Sequence, residues 1–340
     1  MDKFNYTKTN MNVDTEVDTN FNNEISKIKI NSFFFQNECS AYELLQQIPK
    51  YQTYFYIFND VTPITYDEIQ IVDAKPKTFL VKYKKKRFFL LEEVLSCFQD
   101  SFSLLQFVIR LYLDLLHAVS LLSQQGIVHN NICYDSILID ELETTTLFNF
   151  ELSLCINESN KTTSYINKYI FVYQPDYFYW PLEIHIVSYL LSNKKESITK
   201  LEIEMIVEEV FAKNIILTNG EQRLSSIPIK DYKKATIDFF TKYANKSVDF
   251  IVKEIFHYSS SWDSYRVAIL LLDILENICK KTNDTNNPFM IQFIELLHNY
   301  ITVSPDVRPT IEEMKDKFEE LCYKTEPQTY RSLIEQIKIE

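Results

Sequence analysis

The chain has 340 residues, 46% apolar and 24% charged, enough for a two-lobed domain or two ordinary domains around a large core. Its net charge of −12 excludes a general nucleic-acid-binding face. Its only two glycines, Gly126 and Gly220, exclude any glycine-rich phosphate loop of the G-x-G-x-x-G or Walker type. The six cysteines (Cys39, Cys97, Cys133, Cys155, Cys279 and Cys322) form no C-x-x-C pair and have no histidine at ligand spacing. A zinc site is therefore not expected, and reduced thiols are.

Residues 1–23 are rich in Asn, Thr and Asp and read as a disordered tail. "ISKIKINSFFF" (25–35) alternates and then turns aromatic, which predicts a strand. "ECSAYELLQQI" (38–48) predicts a helix ended by Pro49, and "TYFYIF" (53–58) and "TFLVKY" (78–83) predict two further strands. The pattern changes near residue 101, where Leu104, Val108, Leu111, Leu115, Val119 and Leu122 recur at helical spacing. Gly126 is the C-cap candidate for that helix. "SILI" and "TLFNF" then suggest a small hairpin. Beyond residue 183 the chain reads as helical, with "KLEIEMIVEEVFAK", "YKKATIDFFTKYANKSVDFIVKEIF", "WDSYRVAILLLDILENI", "MIQFIELLHNYI" and "TIEEMKDKFEELC", and Asn219-Gly220 marks a turn. There is no internal repeat and no uninterrupted apolar run of about 18 residues. Strands with one helix first and mostly helices afterwards predict an α+β fold in two segregated parts.

Five short motifs occur in a definite order. After the long helix, "GIVHNNICYDSILID" (126–140) places His129, Asn130, Asn131 and Ser136, and Asn149-Phe150-Glu151 follows the hairpin. Downstream are "WPLE" (180–183), "WDSYRVA" (262–268) and "SPDVRPTIEEM" (304–314). Together they resemble the protein kinase-like superfamily over residues 25–325, with the two-lobed fold of that family. In the family the catalytic loop reads H-R-D-x-x-x-x-N and a D-F-G follows. The resemblance puts His129 in the His slot, Asn130 in the Arg slot, Asn131 in place of the catalytic Asp, Ser136 in place of the metal-binding Asn, and Asn149-Phe150-Glu151 in the D-F-G slot. It also implies structural roles for Phe150 and Asp263, and an ion pair between Glu183 and Arg308. One spacing departs from the family. From Glu183 to Asp263 is 263 − 183 = 80 residues, so residues 190–255 read as a helical insertion. The implied division is a β-rich N-lobe over 24–90, a C-lobe over 91–325 that carries the insertion, and an extension over 326–340.

The chemistry implied by that family is phosphoryl transfer, which needs positioned magnesium, a group to orient the acceptor hydroxyl, and cations on the phosphates. Asn131 is a neutral amide and cannot accept the proton. Asn149 and Ser136 are neutral where anionic or amide ligands would hold metal. The expectation is a degenerate member of the superfamily, a pseudokinase with no intact catalytic residue and no metal site. The alternative is a divergent active serine/threonine kinase with Asp135 or Glu151 as displaced ligands, although such carboxylates are more often solvated loop residues. A third reading is a nucleotide sensor that binds ATP without magnesium. The family also places a lysine on an N-lobe strand against a glutamate of the following helix. Lys27 or Lys29 and Glu38 or Glu43 are the candidates, with the register left open.

Other features have plain readings beside functional ones. "KYKKKR" (82–87) can bind phosphate, nucleic acid or an import receptor, or form a solvated hairpin. Thr162, Thr163 and Ser164 lie where kinases are phosphorylated, but Asn130 removes the arginine that reads the phosphate. "YQPDYFYW" (173–180) is a docking surface or packing under the insertion. The expected function is scaffolding, allosteric regulation or a structural role through a protein partner or self-association, with no nucleic acid and no membrane. The expected compartment is the cytoplasm. The bias toward Tyr, Phe, Asn, Ile and Lys, with the insertion, points to a large DNA virus as source, hence host cytoplasm or virion.

Overall fold

The computed structural model describes residues 15–17, 24–64, 78–157, 161–170, 172–217, 229–282 and 287–324. Most of the stretch read as a tail, the Asn219-Gly220 turn and the 326–340 extension lie outside them. Within the tail, Thr15–Val17 form strand β1 at one edge of a sheet. The reading of 1–23 as disordered throughout is corrected at those three residues.

Strand β2 (Glu24–Ile30) runs antiparallel to β4 (Thr78–Lys84), and β3 (Asp60–Ile64) lies on the far side of β4. The sheet order is β1-β2-β4-β3. β3 was not anticipated, because Pro63 interrupts its pattern; as an edge strand it tolerates the missing donor. The aromatic triplet expected to extend β2 instead opens helix α1 (Phe33–Leu45). Ser32 decides this, since its hydroxyl accepts from the Phe35 backbone N–H at 3.1 Å, a standard N-cap. The "TYFYIF" strand is also corrected. Its Phe55 makes a single bridge to Leu147, and Phe55, Ile57 and Phe58 are buried. That apolar run reflects burial on all sides of a crossing segment, which periodicity alone cannot distinguish from a strand.

Residues 85–87 lead into β5 (Phe88–Leu90), α2 (Leu91–Cys97) and α3 (Ser101–Gln124). Asp100 caps α3 through the Ser103 N–H at 2.8 Å. The six stripe residues of α3 are all buried. Phe102–Gln124 is long and apolar enough to cross a membrane by length and composition; Arg110 and Asp114 interrupt it, and its apolar residues form the core against other elements. Gly126 follows with φ +67°, and a Cβ there would lie 2.9 Å from the Ile156 carbonyl oxygen. Glycine is needed at that point both for the left-handed turn and for the close approach.

Strand β6 (Ile127–Val128) pairs with β9 (Leu154–Cys155). Between them stands the expected hairpin, β7 (Ile137–Asp140) and β8 (Thr145–Leu147), with β5 added against β7. The remainder is helical: α4 (Thr163–Ile166), α5 (Leu182–Ser192), α6 (Lys200–Lys213), α7 (Ile229–Thr241), α8 (Val248–Ile255), α9 (Trp262–Thr282), α10 (Pro288–Ile301) and α11 (Ile311–Lys324). The stretch that reads as helical over 232–256 divides into α7 and α8, because Asn245 takes φ +61° and Ser247 caps the next turn. Helix α9 is apolar all round its middle, and Val267 through Leu272 are fully buried. Such a helix belongs at the centre of a core. The molecule is a mixed α+β structure with small antiparallel sheets, strands and α1 first, helices after.

Candidate functional site

The loop from His129 to Ser136 is held from below by α9. Both Asp263 carboxylate oxygens accept backbone N–H bonds, from His129 at 2.6 Å and Asn130 at 3.0 Å. Asn130 sits at φ +62°, a left-handed conformation that asparagine tolerates better than most residues. Its amide donates to the Leu152 carbonyl at 3.2 Å and accepts from the guanidinium of Arg266. Arg266, fully buried, also lies 3.3 Å from Asp263. A lone arginine inside the apolar run of α9 is a visible sequence signal for a buried polar partner, and sequence reasoning passed over it.

His129 is fully buried against Phe150, ring centroids 4.7 Å apart. Its Nε2 lies 3.0 Å from the Phe148 carbonyl, and its Nδ1 accepts from the Asn131 N–H at 3.3 Å. A carbonyl at one nitrogen and an N–H at the other fix the neutral Nε2–H tautomer. Burial pulls its pKa down to about 4. His129 therefore braces the loop.

Of the three residues that the resemblance sets in phosphoryl-transfer slots, Asn131 and Ser136 make local side-chain bonds. Asn131 Oδ1 accepts from the Tyr177 hydroxyl at 3.0 Å. Burial pushes Tyr177 above the ordinary tyrosine range, so the phenol keeps the proton it donates. Ser136 is buried and turned back on its own loop, with its Oγ accepting from the Cys133 N–H at 2.9 Å and donating to the Cys133 carbonyl at 3.0 Å. Asn149 adopts φ +64° and leads into a single turn of 3-10 helix, Phe150–Leu152. Phe150 is fully buried between His129 and Phe55.

Of the candidate lysines and glutamates, Lys29 and Glu38 meet. Lys29 Nζ lies 2.7 Å from Glu38 Oε2 and 3.6 Å from Glu151 Oε1. Burial lowers the Lys29 pKa, but the Glu38 carboxylate, with Tyr83 and Glu151 behind it, outweighs burial and holds it above the ordinary lysine value. Glu43 is exposed further along α1, and Lys27 pairs in register with Val81 of β4. Beside Glu38, Asn37 does what no sequence feature announced. Its buried amide donates to the carbonyls of Ser153 at 2.7 Å and Glu151 at 2.9 Å, and its Oδ1 accepts from Tyr169 at 2.9 Å. One side chain thus ties α1 to the Phe150–Leu152 turn and to the segment after α4.

Downstream, Arg308 donates to both Glu183 oxygens, at 2.5 and 3.1 Å, with both residues buried. Asp135 is exposed on a one-turn helix, away from any cluster. Among the described residues, no three His, Cys, Asp or Glu side chains converge. None of the six cysteines is joined in a disulfide. In the basic run, Lys82 pairs with Asp60, Arg87 pairs with Glu141, and Lys86 reaches the Gln52 carbonyl. The aromatic stretch 173–180 is largely packing: Tyr173 reaches Glu209 of α6, and Tyr179 and Trp180 are buried. Thr162 caps α4, and Thr163 bonds Asp249 of α8. A scan against models of protein families finds no match, and a search of the curated proteins finds none either.

Proposed function

We propose that this chain is a kinase-like protein without phosphotransfer, acting by binding a protein partner or another copy of itself. The observation that carries the reading is the division of labour around the 129–136 loop. Residues that brace such a fold make their bonds: Asp263 to the loop backbone, Arg308 to Glu183, Lys29 to Glu38. Positions that would do the reaction are neutral and tied inward: Asn131 under Tyr177, Ser136 on Cys133. Loss of the base and of both metal ligands removes the groups that orient the hydroxyl and neutralise the phosphates, each commonly contributing several kcal/mol of transition-state stabilisation.

The test is a phosphotransfer assay with radiolabelled ATP and magnesium or manganese, run beside a thermal-shift titration with ATP. No labelled product above background is expected, on the chain itself or on added protein. Transfer that disappears in Asp135→Ala or Glu151→Ala would replace this reading with that of an active enzyme using displaced ligands.

A further inference from the structure

The Lys29 ammonium stands between two carboxylates. Its side chain is 11% exposed, Glu38 is 6% exposed, and Glu151 is 29% exposed. Glu38 alone neutralises it. Glu151, at 3.6 Å on the more open side, leaves the trio with a net charge of −1. The backbone fixes this arrangement, because Asn37 holds the Glu151 carbonyl at 2.9 Å and the Ser153 carbonyl at 2.7 Å.

We propose that Glu151 is a built-in anion occupying the face of Lys29 where a nucleotide's phosphates would lie, so that the cleft rejects polyphosphates. The inference rests on the kinase-like reading of the cleft, in which this lysine faces the α- and β-phosphates. Three facts make the exclusion strong. A triphosphate brings several negative charges toward a site that is already net negative. Asn149 and Ser136 supply no anionic ligand for a metal that would offset them. The two glycines of the chain leave no glycine-rich loop to offer backbone amides. Glu151 can lose its charge while the Lys29–Glu38 pair stays intact, so it sets the specificity.

The experiment compares the full-length chain with Glu151→Gln, which keeps shape and loses charge, with Glu151→Ala as a second variant, and with Glu151→Gln combined with Lys29→Met. Each is titrated calorimetrically with ATP and with tripolyphosphate, without metal, after its melting transition shows it folded. The wild type should bind neither measurably. Glu151→Gln and Glu151→Ala should bind both at least about tenfold more tightly, and the gain should vanish in the double variant. Equal binding by wild type and Glu151→Gln overturns the proposal, as does no gain in either single variant. The same samples are assayed for labelled phosphotransfer. Transfer by the wild type overturns the proposed function itself, whereas absence of transfer together with no gain removes only the role of Glu151.

Discussion

Glu183 and Arg308 are 125 residues apart in sequence and meet in a buried, two-pronged ion pair. Removing one partner leaves the other charge buried and alone, which typically costs about 3–5 kcal/mol. Arg308→Ala should therefore lower the melting temperature by roughly 10 °C; an unchanged transition would show the pair to be dispensable. Of three buried histidines, the two that are fully buried, His129 and His185, give the molecule an acid-sensitive side. Burial depresses His129 to about 4 and His185 to about 3, from an ordinary 6.5. In the unfolded chain both bind a proton below about pH 6.5, while the folded chain refuses it. Their contribution to stability is full above that pH and declines as pH falls from 6.5 toward 4, by about 1.4 kcal/mol per pH unit for each histidine. His185→Leu should flatten the fall in melting temperature over that window, measured against wild type at constant ionic strength. Parallel curves would mean that His185 takes up its proton alike in both states.

At the level of elements, α1 carries more of the site than its sequence announces. Glu38 was a candidate, beside Glu43, only through the resemblance, which sets a helix glutamate against a strand lysine; Lys27 and Lys29 share a strand face and only register separates them. Asn37 was not readable, because its partners are backbone carbonyls more than a hundred residues away and carry no side-chain signature. The long stripe of α3 and the hairpin after it were legible from periodicity and turn spacing. The start of α1 was not, since three phenylalanines favour a strand until the hydroxyl of Ser32 is placed beneath them. The downstream ion pair was legible only through the order of the motifs. Asn37→Leu would leave the Ser153 and Glu151 carbonyls and the Tyr169 hydroxyl without their partner, a loss of about 1–3 kcal/mol. Amide hydrogen exchange should then accelerate in residues 149–155 and 163–170 while α9 stays protected. Uniform acceleration across the chain would instead indicate a global rather than a local anchor.

For the whole molecule, the 190–255 stretch is woven into the core. Of its apolar residues, Ile198, Ile203, Ile206, Val207 and Val210 are buried, as are Ile251 and Val252 of α8. Leu201 and Met205 stay exposed, at 74% and 45%, so one narrow stripe of α6 faces outward while the rest packs on α5 and α7. Deleting residues 190–255 should uncover that interior and give an insoluble or unfolded product. A soluble, cooperatively melting remainder would show the insertion to be an appendage.

The bonds from Asp263 to His129 and Asn130 have a consequence for how the chain is made. The backbone of the 129–136 loop is pinned by a residue 134 positions further on, and α3 is tied through Ser120 to Glu312, 192 positions later. Closing such distant contacts is slow, and they cannot form until the later part has been synthesised. A growing chain therefore exposes the apolar face of α3 on the ribosome for most of its synthesis, and nascent chains arrested before residue 263 should remain protease-sensitive through the loop while full-length chains resist.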